Sequence, residues 1–251
     1  MKTLLFCTSY VGDQAAWTSR YARWVDFYLR HDMGAEQLFL IDDASPQVAQ
    51  ASGLPCLNAQ TELAQARHRV QVLRFQDRLG RSARAVYPGW WRSFTHAAKL
   101  ARTLGAGKLI HVESDAFILS PRLRDRLQSL EEGWSVLWSA HHQMPETAIQ
   151  VICEDQFEAL AAFGDGRWAA HDGRLAEHVL PFTQVLKEFR GDRYSEMKRH
   201  RGIFRSKKFD RVPMFQRNFF WQPIPTDADF VTQTVERQWQ RCETLQSCFR
   251  A

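Results

Sequence analysis

Short β-favouring apolar runs alternate, along the first half of this chain, with segments whose apolar residues recur at helical spacing. No other feature restricts the fold as much. Residues 3–11 (TLLFCTSYV) read as a first strand. Residues 13–31 then carry Trp17, Tyr21, Trp24, Val25 and Tyr28 at relative positions 0, 4, 7, 8 and 11, one face of a helix ending near Gly34. Residues 37–41 read as a second strand and residues 70–75 as a third. Residues 88–104 repeat the helical spacing with Trp90, Phe94, Ala97, Ala98 and Ala101, opened by Pro88 and stopped by Gly105. Residues 108–112 follow as a fourth strand. Units of this kind predict an α/β fold with a mostly parallel central sheet and helices on both faces.

Size supports one such core. A chain of 251 residues, 45% apolar and with nine Trp, buries one large core or two modest ones, and we expect one domain with a C-terminal extension. The boundary is expected near residue 187, giving a core over residues 1–186 and a basic extension over 187–251 that ends in a helix and packs on the core. The opening MKTLLFC is too short an apolar stretch for a secretory leader, and nothing later approaches the ~20 apolar residues of a membrane span. The five cysteines are odd in number, scattered and form no C-x-x-C pair, so neither a zinc site nor a redox site is indicated, and a reduced cytoplasm is expected.

The formal charge of +5 is concentrated. Residues 187–217 hold eleven Lys or Arg against four Asp or Glu, a net +7 that leaves −2 for the rest. Such a segment is either an ordinary solvated face or a site for an anionic partner: a diphosphate, an anionic acceptor, or the inner leaflet of a membrane touched peripherally. Nucleic acid is not indicated, because no recognition motif or aromatic single-strand platform accompanies the charge.

In open α/β sheets ligands lie beyond the carboxyl ends of the strands. Here those ends are polar: Thr8-Ser9-Tyr10 after the first strand, Asp42-Asp43 after the second, Glu113-Ser114-Asp115 after the fourth. The stretch HVESDAFIL places two carboxylates one residue apart in a run that otherwise reads as buried strand, and carboxylates are rarely buried without a partner. At a strand's mouth they can converge on one hard cation that also binds a diphosphate.

On LFCTSYVGD, LFLIDDASP and KLIHVESDAFIL, over roughly residues 1–140, the chain resembles the GT-A glycosyltransferases, the nucleotide-sugar-dependent enzymes with a Rossmann-like core, and bacterial members in particular. The resemblance implies that Asp42 or Asp43 meets the base or ribose, and that Glu113 with Asp115 holds Mn²⁺ or Mg²⁺ against the diphosphate, although Glu113 stands where the family usually has Asp. Thr8, Ser9, Tyr10, Ser114 and Arg92 complete the candidate nucleotide-contacting set, with a surface ion pair as the alternative for Arg92 and core packing for the rings of Trp90 and Trp91. His200, in KRHRG, is a candidate third metal ligand or diphosphate contact, an ordinary surface histidine being the alternative. In HDGRLAEHVLPF, Asp172 and Glu177 are candidates for the base that activates the acceptor, against a turn residue and a solvated helical position.

A literal Asp-x-Asp also occurs at Asp227-Ala228-Asp229, but its surroundings read as a helix start, with Thr226 or Asp227 as N-cap and Val231, Val235, Cys242, Leu245 and Phe249 as the apolar face. There is no G-x-G-x-x-G, Walker P-loop or G-x-S-x-G. The resemblance implies transfer of a sugar from a nucleotide-diphosphate donor to a saccharide or lipid-linked acceptor, in cell-surface polysaccharide or lipopolysaccharide assembly. The competing expectation is a non-catalytic protein that keeps the fold and binds nucleotide sugars or carbohydrate.

Overall fold

The computed structural model describes residues 1–83, 86–164, 169, 174–195 and 224–234. His200, Asp172, residues 235–251 and most of the basic segment lie outside them.

β1 (Thr3–Ser9), β2 (Gln37–Asp42), β3 (Cys56–Asn58), β4 (Val70–Arg74) and β5 (Lys108–Val112) are followed by the short β6 (Phe117–Ile118), then β7 (Trp134–Ser139), β8 (Met144–Cys153), β9 (Gln184–Leu186), β10 (Gly191–Asp192) and β11 (Phe230–Val231). Eight of them form one sheet in the order β3-β4-β2-β1-β5-β8-β7-β9. Every pairing in it is parallel except the two made by β8, so β8 alone runs against the others. The expected α/β architecture with a mostly parallel sheet is present. The expected third strand is β4. β3, a three-residue edge strand, is an addition.

Side chains alternate across the sheet, as the two-residue period of a strand requires. Leu5 and Cys7 of β1 and Leu38 and Leu40 of β2 join one apolar cluster, while Leu4, Phe6, Phe39 and Ile41 join the other. The first cluster is covered by α1 (Gln14–Ala16), a π-turn over Trp17–Tyr21 and α2 (Ala22–Arg30), which supplies Trp24, Phe27 and Tyr28. Asp13 caps this entry by accepting from the Ala16 amide at 2.7 Å. The short α3 (Val48–Ser52) adds Val48. On the opposite face α4 (Pro88–Leu104) runs from its expected proline to Gly105, whose left-handed φ of 63° closes the helix. It packs Trp91, Phe94 and Ala97 on the sheet. α5 (Pro121–Ser129) lies on the first face and α6 (Phe157–Ala161) on the second.

The region of the literal Asp-x-Asp corrects an expectation. Phe230 and Val231 are not the start of a helix. They form β11, paired antiparallel with β6 and parallel with β10, and both side chains are fully buried. Asp229 is buried too, and accepts from Arg122 Nε at 2.7 Å, Ser120 Oγ at 2.5 Å and the Arg190 amide at 2.6 Å. Long-range pairing has overridden a local capping pattern, and Asp229 pins the first turn of α5 to the chain's last described segment. Asp227 makes an exposed ion pair with Arg190.

Connectivity places the cleft. From β1 the chain builds outward through β2 and β4, then returns to lay β5 on the other side of β1. The crevice at the carboxyl ends of β1 and β5 is therefore a topological switch point. Because β8 is reversed, it begins at this same edge, and the Glu113 amide donates to Ala148 O at 2.9 Å.

Candidate active site

A cleft of about 640 Å³ opens at that edge. Its floor is made by Thr8, Ser9 and Tyr10 from β1, Glu113 and Asp115 after β5, and Trp90 from α4. Glu146, Thr147 and Ala148 of β8, with Glu177 and Arg193, form the far wall, and Arg78, Arg81, Tyr87, Arg174 and Leu175 belong to the lining as exposed residues.

Glu113 is gripped rather than free. Oε1 accepts from Trp90 Nε1, and the Thr8 hydroxyl is shared between both oxygens at 3.2 Å each. His111 Nε2 stands 3.4 Å from Oε1, wholly buried. The histidine's orientation is set from behind. Trp134 Nε1, a donor only, gives its proton to Gln150 Oε1 at 2.8 Å, which turns the Gln150 amide nitrogen toward His111 Nδ1 at 3.5 Å. His111 Nδ1 is then the acceptor and Nε2 carries the proton toward Glu113. Burial pushes the Glu113 carboxyl up, but His111, Trp90 and Arg20 outweigh it and hold the group below its ordinary value.

Asp115 takes a different partner. Arg20, from the π-turn, donates to Oδ2 at 3.0 Å, while Oδ1 is buried with no partner among the described residues. Arg20 loses hydration here, yet Asp115 and its other anionic neighbours raise its pKa, so the guanidinium stays charged. The two carboxylates of HVESDAFIL are thus compensated separately, one by neutral donors and an imidazole, the other by a guanidinium.

The second-strand aspartates are committed internally. Asp42 is fully buried and accepts from the Ser45 amide at 2.7 Å, the Ser45 hydroxyl and Ser9 Oγ at 3.1 Å. Asp43 lines the cleft, but its oxygens take Arg92 and the amides of Leu79 and Gly80. A side chain at Gly89 would overlap Asp43 Oδ2, so a glycine is required there. Asp43 therefore ties the loop carrying Arg78 and Arg81 to the start of α4. Arg92 is consumed by Asp43 and packs on the Phe75 ring at 4.0 Å, and Ser114 is buried behind the cleft.

Thr8, Ser9, Tyr10, Asp43, Glu113, Asp115 and Glu177 are brought to one cavity, whereas Asp42, Arg92 and Ser114 stand behind its wall. Arg20, His111, Glu146 and Arg193 were not anticipated. Glu146 carries the same signal as Glu113, a carboxylate within a β-favouring run (MPETAIQVIC). Trp90 combines two roles, its ring stacked on Phe94 at 4.7 Å and its N–H on Glu113.

No protein-family model matches the chain, and no curated protein matches it in sequence. Among solved structures it is similar to a glycosyltransferase involved in the glycosylation of the major capsid of PBCV-1, with 10% identity and a TM-score of 0.45 over 98% of this chain and 100% of that one. It is also similar to HddC from Yersinia pseudotuberculosis, with 10% identity and a TM-score of 0.38 over 63% of this chain and 79% of that one. The cleft's own residues, not these overlays, carry the functional reading.

Proposed function

We propose that the protein is a glycosyltransferase that moves a sugar from a nucleotide-diphosphate donor to a saccharide or lipid-linked acceptor. One observation carries this: a single cleft at the switch point combines two strand-end carboxylates with arginines that, among the described residues, form no ion pair with a carboxylate. Arg78 lies over the Tyr10 ring at 3.9 Å and Arg81 over the Tyr87 ring at 4.8 Å. Arg174 donates to the His178 carbonyl at 3.5 Å. Guanidinium groups held this way suit the oxygens of a diphosphate, with the Thr8-Ser9-Tyr10 wall alongside for the nucleoside.

The residues present fit a divalent cation, Mn²⁺ or Mg²⁺. Asp115 Oδ1 is a buried acceptor without a partner among the described residues, and Glu113 Oε2 receives the shared Thr8 hydroxyl. Among the described residues no cluster of three metal-ligating side chains occurs, but a hard cation at such sites takes one or two carboxylates and completes its shell with phosphate and water. Asp115 and Glu113 are the residues that would hold it. When bound, it would supply positive charge to the departing diphosphate. The chain's own groups do the remaining work: Trp90 and Thr8 fix Glu113, Arg20 orients Asp115, and the rim arginines seat the phosphates. Glu177 is the described candidate for accepting the acceptor's proton.

We place the activity in cell-surface polysaccharide or lipopolysaccharide assembly at the cytoplasmic face of a membrane, with residues 187–217 as the peripheral contact. Among the described residues no helix is long and apolar enough to cross a membrane. Thermal-shift screening of nucleotide sugars with and without Mn²⁺, followed by measurement of donor turnover, tests the proposal. Stabilisation by one nucleotide sugar and its turnover are expected. No stabilisation by any of them, or binding without turnover by the wild-type chain, overturns it.

A further inference from the structure

The far wall of the cleft contains a carboxylate–guanidinium–carboxylate arrangement that the sequence pattern does not announce. Glu146, at the entry to β8, is fully buried. Its register partner changes abruptly: Val136 faces Gln150 and the next residue, Leu137, faces Glu146, so residues 147–149 bulge out of the ladder and re-aim the glutamate. Arg193 Nε donates to Glu146 Oε2 at 2.6 Å and Arg193 Nη2 to Oε1 at 3.2 Å. The Thr232 hydroxyl, at 3.0 Å, and the Ala148 amide, at 3.2 Å, complete the shell of Glu146. Each oxygen of that carboxylate accepts two hydrogen bonds, and the residue is fully buried.

Arg193 has a second charge to satisfy. Its Nη2 also donates to Glu177 Oε1 at 2.9 Å. Glu177 lines the cleft with its side chain 11% exposed, and among the described residues its bond to Arg193 is made through Oε1. One oxygen is thus fixed by a guanidinium that is itself clamped by a buried anion, and the other is left toward the cavity. A surface glutamate on a short 3₁₀ turn would ordinarily sample several rotamers. This one is held in one position at the cost of burying a second glutamate and an arginine, an arrangement that an apolar trio would replace without loss of stability.

We propose that Arg193, clamped by Glu146, is the positioning residue that holds Glu177 as the base for the acceptor hydroxyl. The inference rests on the glycosyltransferase reading and adds to it the device on the acceptor side. In the step it serves, the acceptor hydroxyl gives its proton to Glu177 Oε2 as its oxygen forms a bond to the anomeric carbon. The bond from that carbon to the phosphate oxygen breaks, and its electron pair leaves on the nucleoside diphosphate. The charged and titratable groups around Glu177 among the described residues include Arg193, Glu146 and His142, with His141 and Asp192 adjoining His142, and on its own turn His178, whose carbonyl accepts from Arg174. Burial and then Arg193 push the His142 imidazole down, which keeps it neutral near pH 7, and Arg193 is the guanidinium bonded to Glu177.

The test is steady-state kinetics on the full chain, using the nucleotide sugar that the wild type turns over. Glu177→Gln is expected to lower kcat by about 10²–10⁴-fold with donor KM within twofold. Arg193→Lys keeps a charge but lacks the planar fork that meets Glu146 through two nitrogens and Glu177 through one of them, and is expected to lower kcat by about 10²-fold, again with donor KM unchanged. Glu146→Gln, which never reaches substrate, is expected to show the same split to a smaller extent. If Arg193→Lys does not fold, by circular dichroism, Glu146→Gln decides. Wild-type kcat in the folded positioning variants, or in Glu177→Gln, overturns the inference alone. A wild-type chain that turns over no nucleotide sugar overturns the underlying reading and this inference with it.

Discussion

Glu113 follows the end of β5, Glu146 enters β8 beside it, and the Glu113 amide bonds to Ala148 between them, yet the two carboxylates are held by opposite means. Glu113 keeps 17% of its side chain exposed and is braced by neutral donors and an imidazole, with a pKa below the ordinary value of 4.5. Glu146 is sealed and bound by a guanidinium. Burial pushes its carboxyl up against the pull of Arg193, and the nearby Glu177 adds to the rise. The lesson concerns what each can do. An anion stabilised by small neutral donors at a cleft's floor remains able to meet a cation or a polar ligand. One that spends every lone pair inside the wall can only organise its neighbours.

The largest effect should come from breaking the sealed side. Arg193→Met leaves Glu146 buried and uncompensated, and is expected to cost about 3–5 kcal/mol in denaturant unfolding. Glu146→Leu should cost less, since Arg193 retains Glu177. The double variant Glu146→Leu/Arg193→Met should recover part of the loss, because the sealed Glu146 charge is gone and only Glu177, at the edge of the cleft, has lost its guanidinium. Additive losses in this cycle would show that the clamp is not a coupled unit.

A smaller effect is expected on the Glu113 side. Trp90→Phe keeps a ring against Phe94 but deletes the N–H that Glu113 accepts. A hydrogen bond to an ionised group contributes about 1.5–3 kcal/mol, so a loss in that range is expected at pH 7. Its pH dependence sharpens the contrast. The folded pKa of Glu113 lies below the unfolded value of 4.5, so its ionisation stabilises the fold fully above about pH 4.5 and ceases to as pH falls through the folded pKa. The stability gap between wild type and Glu113→Gln, measured by denaturation, should therefore be constant near neutrality and shrink in acid. A gap that widens as pH falls would mean that the carboxyl is protonated in the fold.

The contrast also explains what could be read without coordinates. The elements with strong periodicity and clear stops were legible: the helix over 88–104 and the strand over 108–112 match α4 and β5 residue for residue. β3 was not, since CLN is too short to carry a period. The reversal of β8 was not either, because a strand's own pattern does not state its direction, and without the reversal nothing places Glu146 beside Glu113. Arg193 was hidden within a basic segment whose charge density drew attention away from any single member. In TDADFV a capping pattern competed with two β-favouring residues, and pairing with β6 decided between them. The strand-end rule brought Thr8, Ser9, Tyr10, Glu113 and Asp115 together correctly, but it could not distinguish Asp43, which lines the cleft, from Asp42, which serves Ser45.

The smallest expected effect concerns the cation by itself. Arg20 already neutralises one oxygen of Asp115, and Trp90 and Thr8 already occupy Glu113, so the bare floor offers a divalent ion two partly used carboxylates and a competing positive charge. A diphosphate changes this, because its oxygens complete the ion's shell and give the arginines an anion of their own. Mn²⁺ at 1 mM without nucleotide is expected to bind with a Kd no tighter than about 1 mM, which corresponds to at most about 0.4 kcal/mol of stabilisation. With a nucleoside diphosphate present the thermal shift should exceed the sum of the two separate shifts, and Asp115→Asn should remove that excess while leaving the nucleotide's own shift in place. A large shift from Mn²⁺ alone would place the ion at a preformed site, and an excess that survives Asp115→Asn would move it away from Asp115.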